Sequence, residues 1–376
     1  MFAENVLQCE VSLSWQAAVL QKKEKKKRRK EKSDEIIDEK SKQEKKIIEG
    51  TCALLNSGGG VVRMAISDLQ ALQGGNFLCE LDMFWKGLEP KLTSLVMPST
   101  YGHVFDRSIG TKEILLFVNA PGHMCTIDYN LYVAGEAGVR EASFEQVVDF
   151  LRKTDHCNRK SNVDVPINKL PNVPQEFSIG QICVFHESKG VQLKNSSGTR
   201  GILWSHSRED ELRKTISAFA NSEGGNIFLG IDNSSVVHGV NMQENDQDKI
   251  KDRVKSIISE HMTFPVKPQE KIHWDIEFIP VSCSTTPDLA VVVIKVAGIK
   301  SFGGVFMKDP KSYELRHGKV EAIKVEEWKK RVVSAWKLQT TTKGLHYLLT
   351  MCHFCNNFSL SYIFSLFHLD LTARKR

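Results

Sequence analysis

The feature that most constrains this chain is a pattern it uses twice. Cys52-Ala-Leu-Leu-Asn56-Ser57-Gly58-Gly59-Gly60-Val-Val-Arg-Met-Ala-Ile66 aligns with Ser217-Ala-Phe-Ala-Asn221-Ser222-Glu223-Gly224-Gly225-Asn-Ile-Phe-Leu-Gly-Ile231 at a constant offset of 165. Asn, Ser and two glycines coincide, and an apolar run ending at Ile follows in both, which marks an internal repeat. In the second copy, Ser207 and Asp210 have capping-box spacing, and Leu212, Ile216 and Phe219 share one helical face. Asn221 and the glycine pair read as left-handed residues that stop the helix, and Asn226–Ile231 reads as a short buried strand. Ile114–Asn119 and Val291–Val296 add a second matched strand. Phe144–Leu151 and Val325–Trp336 read as closing helices, through Val147, Val148 and Leu151 in one and Trp328, Val332 and Trp336 in the other. The expectation is an α+β fold of two similar lobes, related by a pseudo-two-fold, with a valley between them.

Composition punctuates the rest. Asp155–Gln181 carries Pro166, Pro171 and Pro174 without a sustained period and reads as a linker. The chain then divides into a charged, flexible arm (1–46), a first lobe (47–154), a linker (155–177), a second lobe (178–337) and a divergent tail (338–376). Lys22–Lys46 holds 13 Lys/Arg against 7 Asp/Glu, an excess equal to the +6 of the whole chain. The two lobes therefore carry no surplus of positive charge, and any basic groove on them must come from uneven placement. Within the arm, Lys25–Lys30 (KKKRRK) suits a non-specific polyanion contact or nuclear import. Nine cysteines, odd in number and mostly far apart, and the lack of a signal-like start point to a reducing, cytoplasmic setting with mostly small buried thiols. In the tail, polar residues interrupt His346–Leu369 too often for a membrane span, and Cys352 and Cys355 form a lone CxxC without a second pair.

Chemistry is expected beside the second turn. Gln192 and Lys194 share one face of the strand Val191–Lys194, Glu187 precedes that strand, and Asp232 ends the next one. Acids at strand ends are ordinarily solvated; three converging carboxylates would instead hold Mg²⁺ or Mn²⁺ through oxygen.

These same residues carry a family resemblance. Glu187-Ser…Val191-x-Leu193-Lys194, Ser217-Ala-Phe-Ala-Asn221-Ser222-x-Gly224-Gly225 and Gly230-Ile231-Asp232 resemble the Alba-like, AAA-related (AlbA-2) domain of the schlafen family. Cys52-Ala-Leu-Leu-Asn56-Ser57-Gly58-Gly59-Gly60-Val61 resembles the schlafen box, and Val305-Phe306…Pro310-x-Ser312-Tyr313 with Glu327-Trp328 resembles the end of the core. The resemblance spans about 47 to 335, with no helicase part after it, as in a short or schlafen-like member. It implies a pseudo-dimeric, U-shaped core whose basic valley binds tRNA-like and other structured RNA, and a metal-dependent endoribonuclease built on a carboxylate triad.

Carried over position by position, that triad falls on Glu187, Gln192 and Asp232, with Glu187 and Asp232 left as metal ligands for Mg²⁺ or Mn²⁺. Gln192 is neutral and a weaker ligand, so cleavage is expected to be weak or absent. The position equivalent to Glu187 in the first lobe falls, at the 165 offset, inside the charged arm. The family's adjacent cysteines are replaced by Ser301-Phe302-Gly303-Gly304 before Val305-Phe306, leaving His261 and Cys283, and no structural zinc is expected. Lys189, Lys194, Arg200, Arg213 and Lys214 are the candidates for phosphate contacts. The leading expectation is an RNA-binding schlafen-core protein with a weakened nuclease centre. The alternatives are an active endoribonuclease of tRNA or rRNA and a protein-interaction scaffold in growth or antiviral regulation. A nucleotide-binding role lacks a Gly-x-x-x-x-Gly-Lys-[Ser/Thr] loop.

Overall fold

The computed structural model describes residues 5–13, 30–67, 77–96, 101–121, 124–135, 138–153, 163–195, 206–242, 245–282, 288–299, 301, 304–317 and 319–334. The tail, Arg200, Cys283, Trp336 and all of the Lys25–Lys30 cluster except Lys30 lie outside them. Among the described residues the fold is mixed α+β, with no helix long and apolar enough to cross a membrane.

The first sheet is built from β1 (Val6–Val11), β2 (Gly60–Ile66), β3 (Phe105–Ile109) and β4 (Glu113–Val118), in the order β1-β2-β4-β3. β1 runs parallel to β2, and the other pairs are antiparallel. The helices α1 (Lys30–Asn56) and α2 (Phe77–Thr93) cover one face, where Cys52, Leu54, Met64, Leu88, Leu92, Ile114 and Leu116 form the core; α3 (Tyr101–Val104) is a short turn leading into β3. On the other face the strands carry Gln8, Glu10, Arg63 and Ala65, and the alternation in GVVRMAI follows from that one-sided burial.

This arrangement corrects the arm boundary. Val6–Val11 is a paired strand, and the helix that contains Asn56 begins at Lys30, so a cut at residue 46 would divide α1. The register also moves the comparison between the two strands that precede the repeat. Val6 pairs Val61 as Val191 pairs Asn226, so the partner position of Gln192 is Leu7, and that of Asp232 is Ser67.

The second sheet contains β7 (Phe177–Ser178), β8 (Val191–Lys194), β9 (Gly225–Leu229), β11 (Trp274–Ser282) and β12 (Leu289–Val296), ordered β7-β11-β12-β9-β8; β10 (Val240–Asn241) also pairs β12. Again the strand before the helix is parallel to the strand after it, and the pairings of β9 with β12 and of β12 with β11 are antiparallel. Here both faces are covered. α5 (His206–Ala220) and α6 (Asp246–Glu260) pack on one face, and the stretch around Val173, Phe177, Cys183 and Phe185 packs on the other. Burial on two sides explains the unbroken apolar runs of β9 and β12, where every residue from Gly225 to Leu229 is buried. Much of the expected linker therefore belongs to this unit. Val165 bridges Gly298, and the Pro171 carbonyl accepts from Asn226 Nδ2 at 3.0 Å.

Two hairpins connect the sheets. β5–β6 (Tyr132–Gly135, Gly138–Glu141) is followed by α4 (Phe144–Lys153), and β13–β14 (Tyr313–Arg316, Lys319–Ala322) is followed by α7 (325–334). β5, which follows the first sheet, packs on α5 of the second unit, and β13, which follows the second sheet, packs on α1 of the first. Between them the strands around 128–131 and 306–311 run antiparallel, with Asp128 bridging Lys311 and Leu131 bridging Phe306. Val147, Val148 and Leu151 of α4 share one core with Phe306, Trp328 and Val332. The closing helices thus seal a common core that both halves contribute to.

Candidate functional site

The Asn of each Asn-Ser-x-Gly-Gly turn acts through its side chain. Neither Asn56 nor Asn221 has a positive φ, contrary to the expectation for Asn221; Gly58 and Gly59 (both +93°) and Gly224 (+79°) take the left-handed turns. Each helix closes with a bond from the glycine five residues on, Gly59 N to Leu54 O at 2.8 Å and Gly224 N to Phe219 O at 3.0 Å. Gly225 serves close approach, since a Cβ there would stand 2.7 Å from Gly190 O. The freed amides then clamp the crossing strands. Asn221 Nδ2 donates to Tyr132 O (3.0 Å) and Val305 O (2.9 Å), and its Oδ1 accepts from Val305 N at 2.8 Å. Asn56 Nδ2 donates to Cys125 O (3.0 Å) and Tyr313 O (2.8 Å), and its Oδ1 accepts from Cys125 N at 2.8 Å.

The predicted triad residues sit on and beside β8, the edge strand of the second sheet. Val191 and Leu193 enter the core, so Gln192 and Lys194 face α5. Gln192 is buried, and Lys194 reaches Glu211 of α5 at 2.8 Å. Glu187 is exposed on a turn that doubles back along the free edge, where its Oε1 accepts from Leu193 N at 3.4 Å. Asp232 begins the tip of a short excursion in which Ile231 bridges Val237 and Gly230 O accepts from both His238 N and Gly239 N at 2.9 Å. Ile231 and Val237 point into the core, which leaves Asp232 and His238 as a cross-strand diagonal on the outer side.

Both oxygens of the Asp232 carboxylate are engaged. Oδ1 accepts from Ser234 N and Val236 N, each at 2.9 Å, and Oδ2 meets His238 Nε2 at 2.8 Å. The His238 contact first, and then the two amides, hold this carboxyl below its ordinary range. Beside it, His186 Nδ1 lies 2.9 Å from Ser235 Oγ, which donates to Phe185 O at 2.7 Å. Neither histidine was expected at this site from the sequence. Gly230 and Gly239, bracketing Ile231 and Val237, were the available signal for this excursion.

A divalent cation of the kind the resemblance implies needs oxygen ligands turned to one point. Both Asp232 oxygens serve their own turn, Glu187 lines the strand edge and Gln192 faces the helix. Among the described residues no group of three or more His, Cys, Asp and Glu side chains is gathered for a metal ion. The residues as placed do not fit the metal.

The predicted phosphate contacts fall into two groups. Lys194 is paired with Glu211, and Arg213 is buried against Asp210 (3.0 Å) and Glu209 (3.6 Å). Asp210 also meets Lys308 at 3.2 Å, and the helix begins at His206, so the Ser207/Asp210 pair is not the cap that its spacing predicted. Lys189 is exposed on the turn before β8, and Lys214 lies half-exposed with its Nζ 5.6 Å from the centre of the Tyr132 ring. Arg200 lies outside the described residues.

The second sheet thus carries helices on one face, with Glu187 and Asp232 beside its strand ends. Residues 187–331 match the family model Schlafen, AlbA_2, so this part of the chain is similar to that domain of the schlafen family. The match begins at Glu187 and takes in Gln192, Asp232 and His238; it points to a nucleic-acid-binding family. Among solved structures, the crystal structure of the DIP2311 protein from Corynebacterium diphtheriae is similar at 18% identity over 37% of this chain and 23% of that chain. Its TM-score of 0.21 is too low to support any inference about fold or site.

Proposed function

We propose that this chain is an RNA-binding schlafen-core protein that holds tRNA-like structured RNA and has a weakened nuclease centre. The observation that carries this reading is the neutral, buried Gln192, which lies between Glu187 and Asp232 in sequence inside the matched domain. A carboxylate there would add the negative charge that a metal centre requires. The reading includes two lobes that are copies of one unit. The shared strand order, the paired Asn clamps and the exchanged hairpins support that duplication. The duplicated unit would present the β8 edge, with Lys189 and Lys214, toward the RNA.

Filter binding of labelled tRNA over a salt series tests this reading. Binding should weaken steeply with salt, and Lys189→Ala and Lys214→Ala should each reduce the slope by roughly 0.7–0.9 for one phosphate contact. Absence of binding at low salt would refute the proposal. One observation favours a protein-contact role instead. Ile179, Ile182 and Val184 are exposed together on the stretch that covers the second sheet, Val184 at 85%. That role predicts RNA binding no stronger than a charge-matched control protein.

A further inference from the structure

The Asp232–His238 pair has the geometry of a closure. The excursion from Gly230 to Gly239 needs left-handed backbone at Gly230 (+100°), Ser235 (+64°) and Gly239 (+69°), so its conformation must be held by other bonds. Asp232 supplies three of them, two to amides across its own tip and one to the ring on the diagonal. The imidazole stands at the carboxylate oxygen that the amides leave open. We infer that His238 and the turn's own amides fill, in this chain, the place that the family resemblance gives to a divalent cation, so that Asp232 closes a hairpin instead of holding metal.

The inference rests on reading Glu187, Gln192 and Asp232 as the schlafen-type centre. It goes further by naming a second obstacle to metal besides Gln192. A cation approaching Asp232 Oδ2 must displace a 2.8 Å contact with His238, and it gains no third carboxylate in return. Restoring the acid at 192 alone therefore leaves the competitor in place. Both changes together are needed to free an oxygen and supply the missing charge.

Mn²⁺ alone is the probe, followed by the loss of its free-ion EPR signal on titration with the full chain. The unmodified chain and Asp232→Asn should give superimposable titrations, as should Gln192→Glu. The double variant Gln192→Glu/His238→Ala should bind about tenfold more tightly, the scale on which groups around metal ligands alter affinity. That gain should vanish on adding Asp232→Asn, and His238→Gln, which keeps a side-chain donor, should gain less than His238→Ala. A site in the unmodified chain that Asp232→Asn removes would overturn the inference, as would a full gain from Gln192→Glu with His238 intact, or no gain in the double variant. Should Asp232→Asn fail to fold, the comparison of His238→Gln with His238→Ala gives the same decision. RNA binding, measured separately in chelator, can fail without altering the Mn²⁺ result, so failure of the proposed function and failure of this inference are distinguishable.

Discussion

Removing the Asn221 side chain isolates the clamp that joins the two halves. In Asn221→Ala, Val305 N loses its 2.8 Å acceptor and Tyr132 O loses its 3.0 Å donor; Val305 O keeps the Ser217 hydroxyl at 2.7 Å. Two backbone groups are thus orphaned at a residue that is 3% exposed. At about 1–3 kcal/mol for each unsatisfied buried group, the expected loss is roughly 2–6 kcal/mol. With about 2–4 °C per kcal/mol for a unit of this size, Tm should fall by on the order of 10 °C. Chemical denaturation followed by tryptophan fluorescence reads the change, because Trp328 lies in the shared core. Asn221→Asp should be no milder, because it keeps the acceptor for Val305 N but turns a carboxylate oxygen toward two carbonyls. Asn56→Ala should cost less, since Asn56 is only part-buried. A loss below about 0.5 kcal/mol for Asn221→Ala, the range of ordinary surface changes, would refute the clamp.

Gly224→Ala should be severely destabilising, because its Cβ would meet Val296 O at 2.7 Å and Gly298 N at 2.9 Å. Gly58→Ala has the same sign of φ with nothing within 4 Å, so it should lose only about 1–2 kcal/mol by denaturant titration. Trp328→Phe removes the 2.8 Å bond to Thr126 Oγ1 and the fit beside Phe306, and should lose about 2 kcal/mol in the same measurement. Because the folded-state pKa of Asp232 lies below the ordinary value of an aspartate, its contribution is fully present above that ordinary value and fades as pH falls through the depressed one. Acid unfolding of Asp232→Asn should accordingly show a weaker dependence on pH below about 4, and an unchanged dependence would contradict the assignment.

The parts of the fold legible in the sequence were those written in short range. The helix ending at Asn221 and the apolar strand after it follow from period and glycine placement, as do the strands Ile114–Val118 and Val291–Val296. β1 was missed because VLQCEV is a short alternating edge strand separated from its partner by the charged segment. The exchange of hairpins is a long-range property, and nothing in β5 or β13 alone says which helix each will cover. At the site, the positions of Glu187, Gln192 and Asp232 came from the motif, but the engagement of Asp232 did not. That depends on a diagonal with His238 that exists only once Ile231 and Val237 have both turned inward. Arg213 shows the same limit, because its charge is evident in the sequence but its burial against Glu209 and Asp210 is not.

We propose that this domain holds structured RNA while its centre cuts weakly or not at all; incubating the full chain with end-labelled tRNA and Mn²⁺, and resolving the products on a denaturing gel, tests both halves of that reading. Intact or only slowly cut RNA is expected at protein concentrations where a native gel shows a salt-sensitive complex. Rapid, discrete cleavage by the unmodified chain, abolished in Glu187→Ala, would contradict that reading.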